Sequence, residues 1–158
     1  MNMERQDPTQ EAATAEADHH LNELEKRSQG ATVLPKTLLV IDDDPTMLRL
    51  VNLVFRQDFG QVLSSQDPRE GLRLALTYKP DLILLDHDMP EMKGIEVLKQ
   101  LKQMPPTQQI PVIMLTGNNQ EATVLAALGC QVSGYLLKPC APEALFQAVM
   151  NILPKQVP

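Results

Sequence analysis

Two apolar runs in this chain each stop on a carboxylate and then break, which constrains the fold more tightly than any other feature of the sequence. Leu82-Ile83-Leu84-Leu85 ends on Asp86 and is followed by His87-Asp88-Met89-Pro90; Leu38-Leu39-Val40-Ile41 ends on Asp42-Asp43-Asp44 before Pro45. A strand that is apolar at successive positions needs cover on both faces, so it belongs inside a sheet sandwiched between helix layers. Its charged end must then emerge at the sheet edge, where a ligand can reach it. Two such strands side by side crowd several negative charges together. At an effective dielectric of roughly 20, two carboxylates ~4 Å apart repel by about 4 kcal/mol, so the cluster calls for a bound cation or a lysine beside it. Those requirements describe a metal-dependent phosphoryl site.

From Thr37 onward the pattern repeats. Apolar runs near residues 37–42, 61–65, 81–86, 110–115 and 132–137 are each followed by a segment with a polar helical face. This repeated βα unit predicts an α/β fold with a doubly wound, five-stranded parallel sheet and helices on both faces. The first helix has Asp44 as N-cap, Pro45 in its first turn, and an apolar face of Met47, Leu48, Val51, Val54 and Phe55. Gly129 is placed to close the helix after the fourth run, and the last helix carries Leu145, Ala148, Val149 and Ile152 on one side before Pro154. Right-handed crossovers and five strands suit the flavodoxin-like order 2-1-3-4-5, which sets strands one and three side by side. Ligands bind open α/β sheets where the strand order switches, at the carboxyl ends of the strands. Asp42, Asp43 and Asp86 stand there, and strands four and five add a hydroxyl, Thr116, and a cation, Lys138. Five polar groups are expected on one rim.

Each of these residues has a blander role available. An aspartate after a strand often only caps the next helix, and Asp44 takes that part. A cap accounts for one carboxylate of the triplet and leaves Asp42 and Asp43, close to Asp86, unexplained. Thr116 alone would be a loop residue and Lys138 alone a solvated charge; their joint placement is what points to chemistry.

Composition narrows the remaining choices. With 158 residues, 43% hydrophobic content, two Tyr, three Phe and no Trp, the chain suits one domain with an aliphatic core. A net charge of −6 argues against direct nucleic-acid binding. No apolar run reaches the ~18 residues of a membrane span, and the N-terminus lacks a secretion signal's apolar core, so a cytoplasmic protein without membrane insertion is expected. Cys130 and Cys140 lack zinc-ligand spacing and read as reduced, partly buried thiols. Residues 1–35 form a polar extension, residues 36–154 the domain, and residues 155–158 a short tail. Within the extension, Asp7-Pro8-Thr9-Gln10 reads as a helix start, and a helix to Arg27 would bury only Ala13, Ala17, Leu21 and Leu24. So small a stripe predicts a partly helical or disordered segment, and the adjacent His19 and His20 diverge on a helix and form no metal site.

Four segments now coincide with one family. Val40-Ile41-Asp42-Asp43, Leu85-Asp86-x-Asp88-Met89-Pro90-x-Met92-x-Gly94, Met114-Leu115-Thr116-Gly117 and Gly134-Tyr135-Leu136-Leu137-Lys138-Pro139 together resemble the receiver domain of two-component response regulators, of the chemotaxis-regulator-like kind. The resemblance covers about residues 36–154 with every motif in the family's order. It implies that Asp86 is the phosphoacceptor, taking a phosphoryl group from a histidine kinase or a histidine phosphotransfer protein. It implies Mg²⁺ held by Asp43, Asp86 and the backbone carbonyl of Asp88, with Asp42 acting through water. Lys138 would pair with the phosphoryl oxygens and Thr116 would donate to one of them, after which Tyr135 turns inward and remodels the face made by the helix before strand five, strand five and the last helix. Asp88 and Asn118 flank the phosphoryl position and would tune the lifetime of the phosphorylated state. The Lys138-Pro139 peptide is cis in the family.

One departure is visible: Lys93 stands where the family commonly has Asp, a change expected to alter the entry to the third helix without touching the chemistry. Because little sequence follows the last helix, a stand-alone receiver is expected, acting on a downstream protein target through phosphorylation-dependent binding or by phosphorelay, and catalysing nothing beyond its own phosphorylation and dephosphorylation. Two other protein classes share part of this pattern. A haloacid-dehalogenase-like phosphohydrolase shares Asp86-His87-Asp88, but that family's nucleophile follows the first core strand and its paired acids come later. A phosphorylation-independent scaffold of the same fold usually lacks one of the site residues, and here all are present.

Overall fold

In a computed structural model of the chain, which describes residues 34–120, 129 and 131–153, the repeated unit is realised as five strands and intervening helices. In chain order these are β1 (Leu34–Ile41), α1 (Pro45–Phe55), β2 (Phe59–Ser65), α2 (Pro68–Tyr78), β3 (Leu82–Asp86), α3 (Gly94–Gln103), β4 (Val112–Thr116), β5 (Gly134–Leu137) and α4 (Pro142–Ile152). All strand pairs are parallel and their order is β2-β1-β3-β4-β5, as the sequence predicts. Of the helix predicted between β4 and β5 only Asn119 and Gln120 are described, both helical; residues 121–128 lie outside the described residues, as do the predicted N-terminal helix, His19 and His20, Cys130 and Pro154. Gly129 has a φ of +66°, the left-handed conformation that suits glycine after a helix.

Successive apolar residues of the central strands divide between two cores. On one face Leu39, Ile41, Ile83, Leu85, Val112 and Met114 pack with Leu72 and Ala75 of α2 and Val97, Leu98 and Leu101 of α3. On the other, Leu38, Val40, Leu82, Leu84, Ile113 and Leu115 pack with Met47, Val51 and Phe55 of α1 and Leu145 and Val149 of α4. Every residue of β3 and β4 is buried, which is why these strands carry no polar alternation.

Local chemistry starts the helices where the strands end. Asp44 Oδ1 accepts from Thr46 N at 2.9 Å and Asp67 Oδ1 from Arg69 N at 2.8 Å, so each caps the helix that follows. Pro45, Pro68 and Pro142 open α1, α2 and α4, where the missing N–H costs nothing. Strand ends differ modestly from expectation. β1 begins at Leu34 rather than Thr37, and its pairing with β2 shifts register between those residues, where Pro35 cannot donate to the ladder. β4 begins at Val112 because Pro111 offers its neighbour a carbonyl, 3.0 Å from Ile83 N, but no donor. Among the described residues no helix is long and apolar enough to cross a membrane.

The three phenylalanines of the chain meet in one cluster that ties α1 to β2 and α4. Phe55 and Phe59 meet edge to face at 5.6 Å between ring centroids, and Phe55 stacks on Phe146 at 6.0 Å. Phe55 is fully buried, so Phe55→Ala should cost about 3–5 kcal/mol in chemical denaturation. A loss below ~1 kcal/mol would show that this cluster does not hold the layers together.

Candidate functional site

Strand register places the first two carboxylates. Val40 pairs with Leu84 and Ile41 with Leu85, so Asp42 and Asp86 are the next equivalent positions on neighbouring strands. Both continue the face that carries Leu38, Val40, Leu82 and Leu84, because side chains alternate along a strand. The two aspartates therefore leave the sheet side by side. Asp42 is fully buried and Asp86 is 5% exposed, whereas Asp43, one residue on, is exposed. One carboxylate oxygen from each of the three lies within 4.8 Å of the others.

Lys138 offsets this charge. Its Nζ stands 2.6 Å from Asp42 Oδ2 and donates to Asp86 Oδ1 at 3.1 Å. It is carried there by the end of β5, where Lys138 N donates to Thr116 O at 2.8 Å and the Lys138-Pro139 peptide is cis. Burial opposes the charge on this lysine, but the Asp42 and Asp86 carboxylates outweigh burial and raise its pKa. The Asp86 pKa is raised as well, which for a carboxyl favours the neutral form: burial first, then the Asp42 charge, push it up to about 7 despite Lys138.

The backbone holds these groups in place. Asp42 Oδ1 accepts from Asp44 N at 2.9 Å, and Asp42 N donates to Ser65 O at 3.0 Å. After Asp86 the chain turns tightly: His87 N donates to Leu115 O at 2.9 Å and Gly94 N returns to His87 O at 2.9 Å. A Cβ on residue 94 would lie 2.2 Å from the Asp86 carbonyl oxygen, so only glycine lets α3 start against the turn.

Other expected residues stand around this cluster. Thr116 is one residue beyond Leu115, the register partner of Asp86, so alternation turns it toward the opposite face. Its hydroxyl donates to Asn118 O at 3.3 Å, and with Tyr135, Asn119 and Cys140 it lines a pocket of about 450 Å³ beside the cluster. The rim thus gathers Asp42, Asp43, Asp86 and Lys138 directly, with Thr116 to one side. Cys140 is a free thiol whose pKa burial pushes up. One contact was not anticipated. Lys93 does not stand apart from the site, because its Nζ lies 3.0 Å from Asp88 Oδ1. The five-residue spacing across a turn gives no helical or strand periodicity from which to read that pair.

A parallel 2-1-3-4-5 sheet with an acidic cluster and a lysine at its switch point defines the class: a flavodoxin-like domain with an acidic, lysine-bearing carboxyl edge. The profile of the response regulator receiver domain matches residues 38–150, and the chain belongs to that family. It is 34% identical over 119 residues to a chemotaxis protein CheY homologue of Campylobacter jejuni, covering 73% of this chain and 91% of that protein. It is 35% identical over 118 residues to the alkaline phosphatase synthesis transcriptional regulatory protein PhoP of Bacillus subtilis, covering 75% of this chain. The chain spans only 48% of PhoP and 28% of the Escherichia coli transcriptional regulator GlrR. Among solved structures, the chemotaxis response regulator CheY4 of Vibrio cholerae superposes with a TM-score of 0.70 at 26% identity, covering 76% of this chain and all (100%) of that one.

The raised Asp86 pKa has a stability consequence. Its ordinary value is 3.8, so with a folded value of about 7 the folded state binds this proton more tightly than the unfolded state. The stabilisation this provides is complete below the ordinary value and is lost as pH rises through about 7. In chelator-treated protein, Asp86→Asn should therefore unfold at higher denaturant than the wild type at pH ~8, with the gap closing toward pH ~5. Parallel pH curves for the two proteins would contradict the assignment of a buried, charge-crowded Asp86.

Proposed function

We propose that this chain is a phosphorylation-controlled receiver in which Asp86 accepts a phosphoryl group from a phosphohistidine of a kinase or phosphotransfer protein. The observation that carries the reading is the shared Lys138 ammonium, in contact with both Asp42 and Asp86 at the carboxyl edge of the sheet. An Asp86 carboxylate oxygen forms the new bond to phosphorus as the phosphorus–nitrogen bond of the donor breaks, and the imidazole departs with a proton. Lys138 is placed to exchange part of its contact with the aspartates for the phosphoryl oxygens. The Thr116 hydroxyl, now on the Asn118 carbonyl, is the donor free to turn to one of those oxygens.

The residues fit Mg²⁺. Three carboxylate oxygens within 4.8 Å form an all-oxygen donor set, and Asp42 Oδ2 is a buried carboxylate oxygen with an ion pair but no hydrogen bond. Asp43 and Asp86, with the Asp88 carbonyl, would hold the ion directly and Asp42 through water. When bound, the ion neutralises charge shared between the acceptor carboxylate and the phosphoryl oxygens. Asp88 and Asn118 set the lifetime of the phosphorylated state, and Tyr135, in the pocket beside Thr116, couples it to the surface of β5 and α4. Output is phosphorylation-dependent binding of a cytoplasmic protein partner; onward transfer from Asp86 to a phosphotransfer histidine is the relay form of the same chemistry. The receiver is assigned to residues 36–154, with residues 1–35 an extension and residues 155–158 a tail, a division that the family match over 38–150 supports.

Intact mass after incubation with acetyl phosphate tests the reading. Wild type should gain one phosphoryl group only with Mg²⁺, and Asp86→Asn none. Asp43→Ala and Lys138→Ala should slow the gain by roughly 10²-fold. An adduct that persists in Asp86→Asn, or its absence in the wild type, would contradict the assignment.

A further inference from the structure

The turn from β3 into α3 pairs Asp88 with Lys93, a lysine that the chemistry above does not use. Lys93 is fixed at its backbone: Lys93 N donates to Glu96 Oε2 at 3.0 Å, and Lys93 O accepts from Glu96 N at 3.0 Å and Val97 N at 3.2 Å. The next residue, Gly94, bears directly on the Asp86 carbonyl, so Lys93 springs from a point locked to the acceptor turn. From there its side chain reaches back across the turn to Asp88, with Nζ donating to Oδ1 at 3.0 Å. Both side chains are more than half exposed, at 61% and 55%, and exposed pairs of this kind add little to fold stability. Stability therefore does not account for a lysine aimed at this carboxylate.

Position does. Asp88 follows the acceptor by two residues, and an unpaired carboxylate there would add a fourth negative charge to those of Asp42, Asp43 and Asp86. Lys138 is the cation that serves the inner three, and it is engaged with two of them. A small phosphoryl donor is itself an anion and must approach this edge. We infer that Lys93 is a positioning residue for phosphoryl entry: it pins and neutralises the Asp88 carboxylate, and so clears one negative charge from the path of an anionic donor.

This inference rests on the reading of Asp86 as phosphoacceptor. In the test reaction acetyl phosphate gives its phosphoryl group to an Asp86 oxygen; the phosphorus–oxygen bond to acetate breaks and acetate leaves. The initial rate of that transfer, with Mg²⁺, would be followed by intact mass for wild type, K93A, K93R, D88N and the double variant D88N/K93A, at low and high salt. K93A should be slower than wild type by roughly 3- to 10-fold at low ionic strength, and the gap should narrow at high salt, where exposed charges are screened. K93R should restore the rate, which a loss of packing or helix capping would not explain. Removing Lys93 in the D88N background should cost under about twofold, because the carboxylate it neutralises is gone. Equal losses in both backgrounds, or K93A matching wild type, would overturn the inference while leaving Asp86 as acceptor intact. No adduct on the wild type would overturn both.

Discussion

Lys138, with its ammonium 2.6 Å from Asp42 Oδ2 and 3.1 Å from Asp86 Oδ1, is the interaction on which the carboxyl edge of this sheet depends. Parallel pairing in register forces the two aspartates together at the ends of β1 and β3, and burial removes the water that would otherwise screen them. Burial first, and then the Asp42 charge, push Asp86 up to about 7 even with the lysine present. An edge built this way is short of positive charge. That deficit suits a cation, and in the proposed chemistry a cation together with the lysine lets the carboxylate take an anionic phosphoryl group. The fold, the electrostatics and the proposed chemistry are thus one arrangement seen at three scales.

The rest of the domain serves to hold that edge still. Two aliphatic cores clamp β1, β3 and β4 from both faces, and the phenylalanine cluster locks α1 to β2 and α4. Gly94 allows α3 to begin against the turn that follows Asp86, and the Asp42 carboxylate fastens its own loop through Asp44 N. Beside the edge, the buried Thr116 hydroxyl rests on the Asn118 carbonyl, and the half-buried Tyr135 packs against one core while lining the adjoining pocket.

Much of this was legible in the sequence because buried parallel strands leave a strong signature. Apolar residues at successive positions in Leu82–Leu85 and Val112–Leu115 gave both the strands and their burial, and the strand order followed from chirality and size. Asp42, Asp43, Asp86 and Lys138 could be named because each ends a strand, and strand ends meet at a place the topology dictates. The exact starts of β1 and β4 were less legible, since Pro35 and Pro111 break the donor ladder without ending the extended chain. Thr116 is one residue past the register partner of Asp86, and its hydroxyl rests on the Asn118 carbonyl, a loop contact that strand periodicity does not show. The Lys93–Asp88 pair could not be read at all: it depends on the path of a turn, and turns carry no periodicity.

The most direct test of the central claim is a crystal structure of the chain with Mg²⁺ and beryllofluoride, a phosphoryl mimic. Beryllium should be bonded to an Asp86 oxygen, with the cation held by Asp43 and Asp86 and the Lys138 ammonium on a fluoride. A cation bound away from the three aspartates, or an adduct on any other side chain, would contradict it.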